Sequence, residues 1–392
     1  MIRAFLKKVF FSVLALTFGR SHVDLPYPLE NAKSILLFKP DGIGDYVLWS
    51  EVFKEFARRY ESSRITLLCC VPTGELARSM FPQWKVVEIP QRPNSILALL
   101  WMLLRNPQLI KLEKHDVLVD LRPHRVLWEL FYAAILDASL KIGFDKSSAT
   151  SPGASFPERK FFEICVPQPN PNFADREIFE CAELRLVSQF SSFIWGLPME
   201  GVKPDLRIFS WPRPEPQIGK RHWVIGPFSG NAIRDYPLPY WKEVFQKLLS
   251  QAPPPDSLLI CGALSQLGMG EELVGMLKEI IPIKNLCGRL KLPETAGILL
   301  QSELVFATES ALAHLSVALR RPTIAILGGG HYGLFAPWGT KAAPVHWISN
   351  RIDCFGCNWS CIYKAAICIQ NIPPAQIIEK SLDLLSVIHS EK

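Results

Sequence analysis

Two stretches of the chain, 34–144 and 223–327, alternate short aliphatic runs with apolar residues at helical spacing. That alternation leaves few architectures open besides a parallel sheet wound with helices on both faces, so the fold class expected is α/β, doubly wound. In the first stretch, 35–38, 65–70, 86–89, 117–121 and 140–144 read as strands, while Leu48, Val52, Phe56 and Tyr60, then 96–112 and 127–136, follow helical spacing. In the second, strands are expected at 223–227, 258–261, 304–307 and 323–327, and helices at 238–248, 273–281, 292–300 and 311–319. A last amphipathic helix is expected over 374–389.

A length of 392 residues accommodates two such domains. Between them, 145–221 is less periodic and rich in proline, apart from a helical pattern over 179–195; the chain's 32 prolines are about 8% of it, against an average of roughly 5%. The expected division is an N-terminal segment 1–33, a first domain 34–200, a linker 201–221, a second domain 222–372 and a C-terminal helix 373–392. Composition, 48% hydrophobic and 20% charged, is that of a folded globular chain and excludes disorder. A net charge of +6 without dense basic runs points away from nucleic acid and towards an anionic substrate or membrane surface.

The N-terminus places Arg3, Lys7 and Lys8 ahead of an apolar run at 9–18, too short to span a bilayer. Gly19-Arg20-Ser21-His22 is a poor signal-cleavage site. An interfacial helix on an anionic leaflet and a helix packed on the first domain both fit. The ten cysteines do not form a secreted disulfide framework: six are scattered, and Cys69, Cys70 and Cys261 lie among aliphatic residues as small hydrophobes do. The other four, Cys354, Cys357, Cys361 and Cys368, have a spacing that suits a structural zinc site or free or reversibly paired thiols, with an iron-sulfur cluster less favoured because the usual ferredoxin spacing is absent.

Four turns could carry chemistry. After the first strand, Gly42 and Gly44 bracket a turn that delivers Asp45 at the start of a helix, either as its cap or as a reactive carboxylate. Arg122, His124 and Arg125 follow the fourth strand in a basic loop suited to an anionic ligand or simply solvated. In the second half, Ser229, Gly230 and Arg234 offer backbone amides and a guanidinium fit for a diphosphate. Glu309, Ser310 and Ala311 open the helix at 311–319, whose N-terminus is a ready anion site, with His314 one turn inside, either a structural histidine or a ligand. Gly328-Gly329-Gly330-His331 permits close backbone approach but is unspecific.

Taken together and in order, these turns resemble glycosyltransferase family 9, the heptosyltransferases that extend the lipopolysaccharide core. The resemblance rests on 35–45, on 116–121 with 141–145, on 230–237 followed by Trp241, on Asn285-Leu286-Cys287-Gly288 with Glu309-Ser310-Ala311 and His314-Leu315, and on Ala336-Pro337-Trp338-Gly339. It spans about 34–385. The family's usual Lys is Arg234 here, and its usual Asp-Ser/Thr-Gly is Glu309-Ser310-Ala311.

The resemblance implies the GT-B arrangement, two Rossmann-like domains facing a cleft, with acceptor on the first domain (Gly42, Gly44, Arg122, His124, Arg125) and donor on the second (Ser229, Gly230, Arg234, Glu309, Ser310, Ala311, His314). It implies an inverting enzyme, with Asp45 as catalytic base, that moves a heptose or related sugar from a nucleotide donor, ADP-heptose by resemblance, to a lipopolysaccharide core or other lipid-linked or polysaccharide anionic acceptor. No cofactor is expected for catalysis; the chain has no Asp-x-Asp to hold a metal on the diphosphate. Location is expected in the cytoplasm, with peripheral contact on the inner face of the cytoplasmic membrane. Two alternatives stay open: a GT-B transferase using a UDP or GDP sugar, and a noncatalytic nucleotide-sugar-binding assembly protein.

Overall fold

The computed structural model describes residues 17–21, 29–90, 92–145, 160–168, 180–213, 221–363 and 365–390. The expected N-terminal helix, apart from its end, and the linker prolines at 214 and 216 lie outside the described residues. The chain divides into two compact units. One gathers Met1–Gly42, Val52–Ala174 and Arg185–Glu200; the other gathers Ile43–Glu51, Asp175–Leu184 and Gly201–Lys392.

The first unit holds one six-stranded sheet: β1 (Ile35–Lys39), β2 (Ile65–Cys70), β3 (Lys85–Ile89), β4 (His115–Asp120), β5 (Ala138–Phe144) and β6 (Ile164–Val166), in the order β3-β2-β1-β4-β5-β6 and parallel throughout. The central strands β1 and β4 are buried almost end to end, which explains their continuous rather than alternating apolar pattern. Phe38, Leu68, Leu118, Leu103, Tyr132 and Phe162 belong to one core on this sheet. The second unit repeats the plan with β7 (His222–Gly226), β8 (Ser257–Ile260), β9 (Ile283–Asn285), β10 (Leu304–Thr308), β11 (Thr323–Ile326) and β12 (Val345–Ile348), in the order β12-β11-β10-β7-β8-β9, again all parallel. Its core centres on Trp223, Trp241, Phe245 and Phe306, and the terminal helix Pro374–Ser390 adds Ile377, Ile378, Leu384 and Leu385. Both units are therefore α/β and doubly wound, as the sequence pattern predicts.

Three edge strands were not legible. β6 and β9 are three residues long, and β9 carries Lys284 in mid-strand, while β12 interrupts its apolar residues with His346. The expected helix over 96–112 ends at Arg105, because Asn106 precedes Pro107 and the residue before proline avoids the helical region. The spacing of Leu48, Val52, Phe56 and Tyr60 spans two helices, Ile43–Leu48 and Ser50–Arg59, rather than one. None of the described helices is long and apolar enough to cross a membrane.

Candidate functional site

In the first unit the carboxyl ends of β1 and β4 carry a buried network of charges. Lys39, last in β1, reaches Asp41 at 2.7 Å and donates to the Leu121 carbonyl at 3.1 Å, with both side chains of the pair 1% exposed. Arg122 pairs with Asp41 from the other side and donates through Nε to Glu129 at 3.2 Å. Glu129 also accepts from Arg92 at 2.9 Å and from the Val126 backbone amide at 2.9 Å, which fixes the start of the helix Leu127–Ile135. Arg125 Nε stands 2.5 Å from Asp120 Oδ2, and its NH1 donates to the Phe144 carbonyl at 2.9 Å while the guanidinium lies over the Phe162 ring. Four cations (Lys39, Arg92, Arg122, Arg125) thus answer three carboxylates (Asp41, Asp120, Glu129). Pairing of this kind is what makes burying such charges tolerable.

Of the basic loop expected to meet an acceptor, Arg125 has no exposed side-chain surface and Arg122 only 12%. Arg125 is spent on holding the loop. His124 is the exposed member of the three; desolvation first, then the cations Arg122, Lys39 and Arg125, hold its pKa below the ordinary histidine range. Lys141 in β5 is likewise internal: its ammonium donates to the carbonyls of Ala133 at 3.0 Å and Ala134 at 2.7 Å, closing the C-terminal end of the helix Leu127–Ile135, and burial pushes its pKa down to about 8.

Asp45 lies half-buried in the first turn of the helix Ile43–Leu48, which belongs to the second unit although it follows β1 directly. This helix packs on the helix Ala311–Ala318. Gly44 makes the approach feasible: a Cβ there would stand 2.9 Å from His314 Cδ2. His314 cannot easily yield, because it is buried, stacks on Trp338 at 11° and accepts the Trp338 indole N–H at Nδ1, 2.8 Å away. Since an indole nitrogen only donates, the Nδ1 of His314 is unprotonated and its proton sits on Nε2. Burial, then Arg234, pushes its pKa down to about 4, so the ring is neutral. Trp338 is itself fixed, its carbonyl accepting from Trp347 Nε1 at 2.8 Å, while the next amide, Gly339, donates to Glu180 at 2.9 Å. The segment Ala336-Pro337-Trp338-Gly339 therefore acts through His314.

The loop after β7 is held by its own polar groups. The Ser229 amide donates to Asp235 at 2.7 Å, its hydroxyl donates to the Asn231 carbonyl at 2.6 Å, and Gln266 donates to the Ser229 carbonyl at 2.9 Å. Gly230 leaves open space, a Cβ there having only Arg234 at 3.8 Å. Arg234 lies 6.0 Å from the Trp359 ring, and its buried Nε has no hydrogen-bond partner. At the end of β10, the hydroxyls of Thr308 and Ser310 and Glu309 Oε2 are also buried without a partner, although Ser310 occupies the cap position of its helix. Unpartnered buried polar atoms are costly unless something else satisfies them. Burial raises the Glu309 pKa to about 7, against the opposing pull of Arg234 and of the Gly328 amide.

The triglycine after β11 has a defined role. A Cβ at Gly328 or Gly330 would run into Trp359, and one at Gly329 into Phe355, each at 2.4 Å. His331 binds Asn358 Oδ1 at 2.8 Å. Asn358 and Trp359, which stand against His331 and Arg234, are residues that sequence reasoning missed; the usable signal was a triglycine matched by two aromatics, Phe355 and Trp359, in the cysteine-rich segment. The four cysteines there are free thiols, and the Cys368 sulfur accepts the Gly329 amide at 3.3 Å. No group of three or more His, Cys, Asp or Glu side chains that could hold a metal ion is found among the described residues, so the zinc alternative gains no support from their placement.

The chain matches the model of the family described as "Glycosyltransferase family 9 (heptosyltransferase)" over residues 126–359. It is 26% identical over 148 residues to lipooligosaccharide heptosyltransferase 2 of Campylobacter jejuni, a match covering 37% of this chain and 46% of that relative's length. Among solved structures it resembles the ADP-heptose lipopolysaccharide heptosyltransferase II of E. coli, with a TM-score of 0.63 at 14% identity, covering 92% of this chain and 100% of that one. It also resembles the E. coli heptosyltransferase WaaC with ADP-2-deoxy-2-fluoro heptose, with a TM-score of 0.61 at 14% identity, covering 89% and 99%. At these identities the structural likeness establishes the fold.

Proposed function

The chain belongs to glycosyltransferase family 9, and from that membership we propose that it transfers a heptose or related sugar, with inversion, from a nucleotide-sugar donor, ADP-heptose in the first instance, to a lipid-linked surface-glycan acceptor such as a lipopolysaccharide core. The observation that carries this reading is that three of the second unit's buried polar atoms without a hydrogen-bond partner, Arg234 Nε and the hydroxyls of Thr308 and Ser310, fall in the two turns suited to a diphosphate. Two hydroxyl donors and a guanidinium N–H without internal acceptors suit the oxygens of a diphosphate. Ser229, Gly230, Ala311 and His314 complete the donor side, and His124 with Arg122 serves the acceptor.

In the reaction, Asp45 takes the proton of the acceptor hydroxyl as that oxygen bonds to the anomeric carbon. The bond from that carbon to the diphosphate breaks, and the nucleoside diphosphate leaves with the electron pair, stabilised by Arg234 and the Ser310 turn. Asp45 and the donor residues belong to one unit, so the base is carried on the same body as the leaving-group contacts.

Thermal stabilisation tests the donor assignment, because a ligand bound only by the native state raises its stability. ADP is expected to raise the melting temperature of the second unit more than UDP, GDP or CMP does. A larger shift with UDP or GDP would replace the donor, and no shift with any nucleotide would overturn the nucleotide-sugar assignment itself.

Glu309 adds a pH signature. Its folded pKa of about 7 lies above the ordinary 4.5, so between those values the folded state holds a proton that the unfolded state has lost. Its contribution to stability therefore falls as pH rises through that window and is fully present only below it. A bound diphosphate favours the protonated carboxyl further. Affinity for a nucleotide sugar, which has no titrating terminal phosphate, should weaken about tenfold from about pH 6 to about pH 8, and Glu309→Gln should flatten the profile. A wild-type affinity that does not change over that range would refute the assignment.

A further inference from the structure

The helix Ile96–Arg105 buries one face and leaves the other bare. Leu99, Met102 and Leu103 enter the core of the first unit. On the opposite side Leu97 and Leu104 are each 78% exposed, Trp101 is 55% exposed and Leu100 42%, at the spacing i, i+3, i+4, i+7 that defines a single stripe, and Ile110 is exposed shortly after it. Four large apolar side chains side by side on ten residues form a patch that soluble proteins rarely leave open without a use.

The surrounding charge indicates what covers it. Arg105, Lys111 and Lys114 are exposed around the helix, Arg92 is exposed beside them but paired with Glu129, and the anion among them, Glu113, is paired with Lys85 at 3.1 Å. The Arg105 guanidinium lies 3.5 Å from the centre of the Trp101 ring, so the stripe carries an amphipathic aromatic with a cation on its face. The N-terminal sequence repeats the chemistry, with Arg3, Lys7 and Lys8 before an apolar run. The end of that run, Phe18, packs on the core that receives the helix's inner face.

We propose that the stripe Leu97, Leu100, Trp101 and Leu104, with its basic rim, is a docking surface for an anionic lipid bilayer, the helix lying in the interface with its apolar side chains below the headgroups. The helix has ten residues, enough to lie in the surface and too few to cross it. The inference stands apart from the identity of the sugar and of the nucleotide.

Flotation of the full chain with vesicles tests it. The wild type should bind vesicles of phosphatidylethanolamine with phosphatidylglycerol, bind phosphatidylcholine vesicles weakly, and lose most of its binding at high salt. Leu97→Asp with Leu104→Asp should lower partitioning about tenfold or more, and Arg105→Glu with Lys111→Glu should lower it about tenfold on the anionic vesicles only. Circular dichroism, melting temperature and the nucleotide-induced thermal shift should remain as in the wild type; that shift separates failure here from failure of the transferase reading. Wild-type partitioning by the leucine variant, once its fold is verified, overturns the proposal. So does a wild-type dimer in sedimentation that those substitutions turn into monomer with partitioning unchanged, since the face would then belong to a second copy.

Discussion

Asp45→Asn should reduce turnover by about 10²- to 10⁴-fold, the range a general base contributes, while the nucleotide-induced thermal shift stays near its wild-type value. The substitution keeps the shape of the side chain and its place in the first turn of Ile43–Leu48, and removes its negative charge and its ability to accept a proton. The helix itself should be unaffected, because Asn also serves at helix starts. The split between lost turnover and kept donor binding is what distinguishes a base from a structural cap. Single-turnover kinetics with saturating donor would read it directly; an asparagine variant with wild-type turnover would remove Asp45 from the chemistry.

Arg125→Met should destabilise the first unit by about 3–5 kcal/mol, the usual cost of leaving one member of a buried ion pair alone. Asp120 is fully buried, and desolvation already pushes its pKa up in spite of Arg125. Without the guanidinium it would also lose the 2.5 Å contact, leaving the Arg122 amide at 3.0 Å. The double variant Asp120→Asn with Arg125→Met should recover part of the loss, since no uncompensated charge then remains. Urea denaturation resolves this on the transition of the first unit. A single-variant loss below about 1 kcal/mol would show that the pair is not what holds the loop.

The sequence carried much of the architecture because central parallel strands and their helices obey local rules. The stretch at 35–38 became β1, 304–307 became β10 and 127–136 became Leu127–Ile135, each recognised by a continuous apolar run or a 3.6-residue period. Edge strands such as β6 and β9 escaped because three residues carry no period. For the candidate site, the sequence supplied the turns and their residue types. It did not supply their states, since a side chain's partners and desolvation depend on residues far away in the chain.

That division is clearest around the first glycine turn. The sequence by itself determined that an apolar strand ends in Gly42 and Gly44 and presents Asp45 at a helix start, within an α/β pattern repeated twice. Tertiary structure alone decided that the Asp45 helix belongs with the second unit, because His314, some 270 positions away, accepts only a glycine beneath it. It also decided that Arg125 is an internal brace rather than a surface cation, and that Glu309 titrates near pH 7 instead of standing ionised. The physical reason is common to all three: periodicity and turn chemistry are properties of neighbouring residues, whereas close packing, pairing of charges and loss of water are set by whatever the fold brings against them.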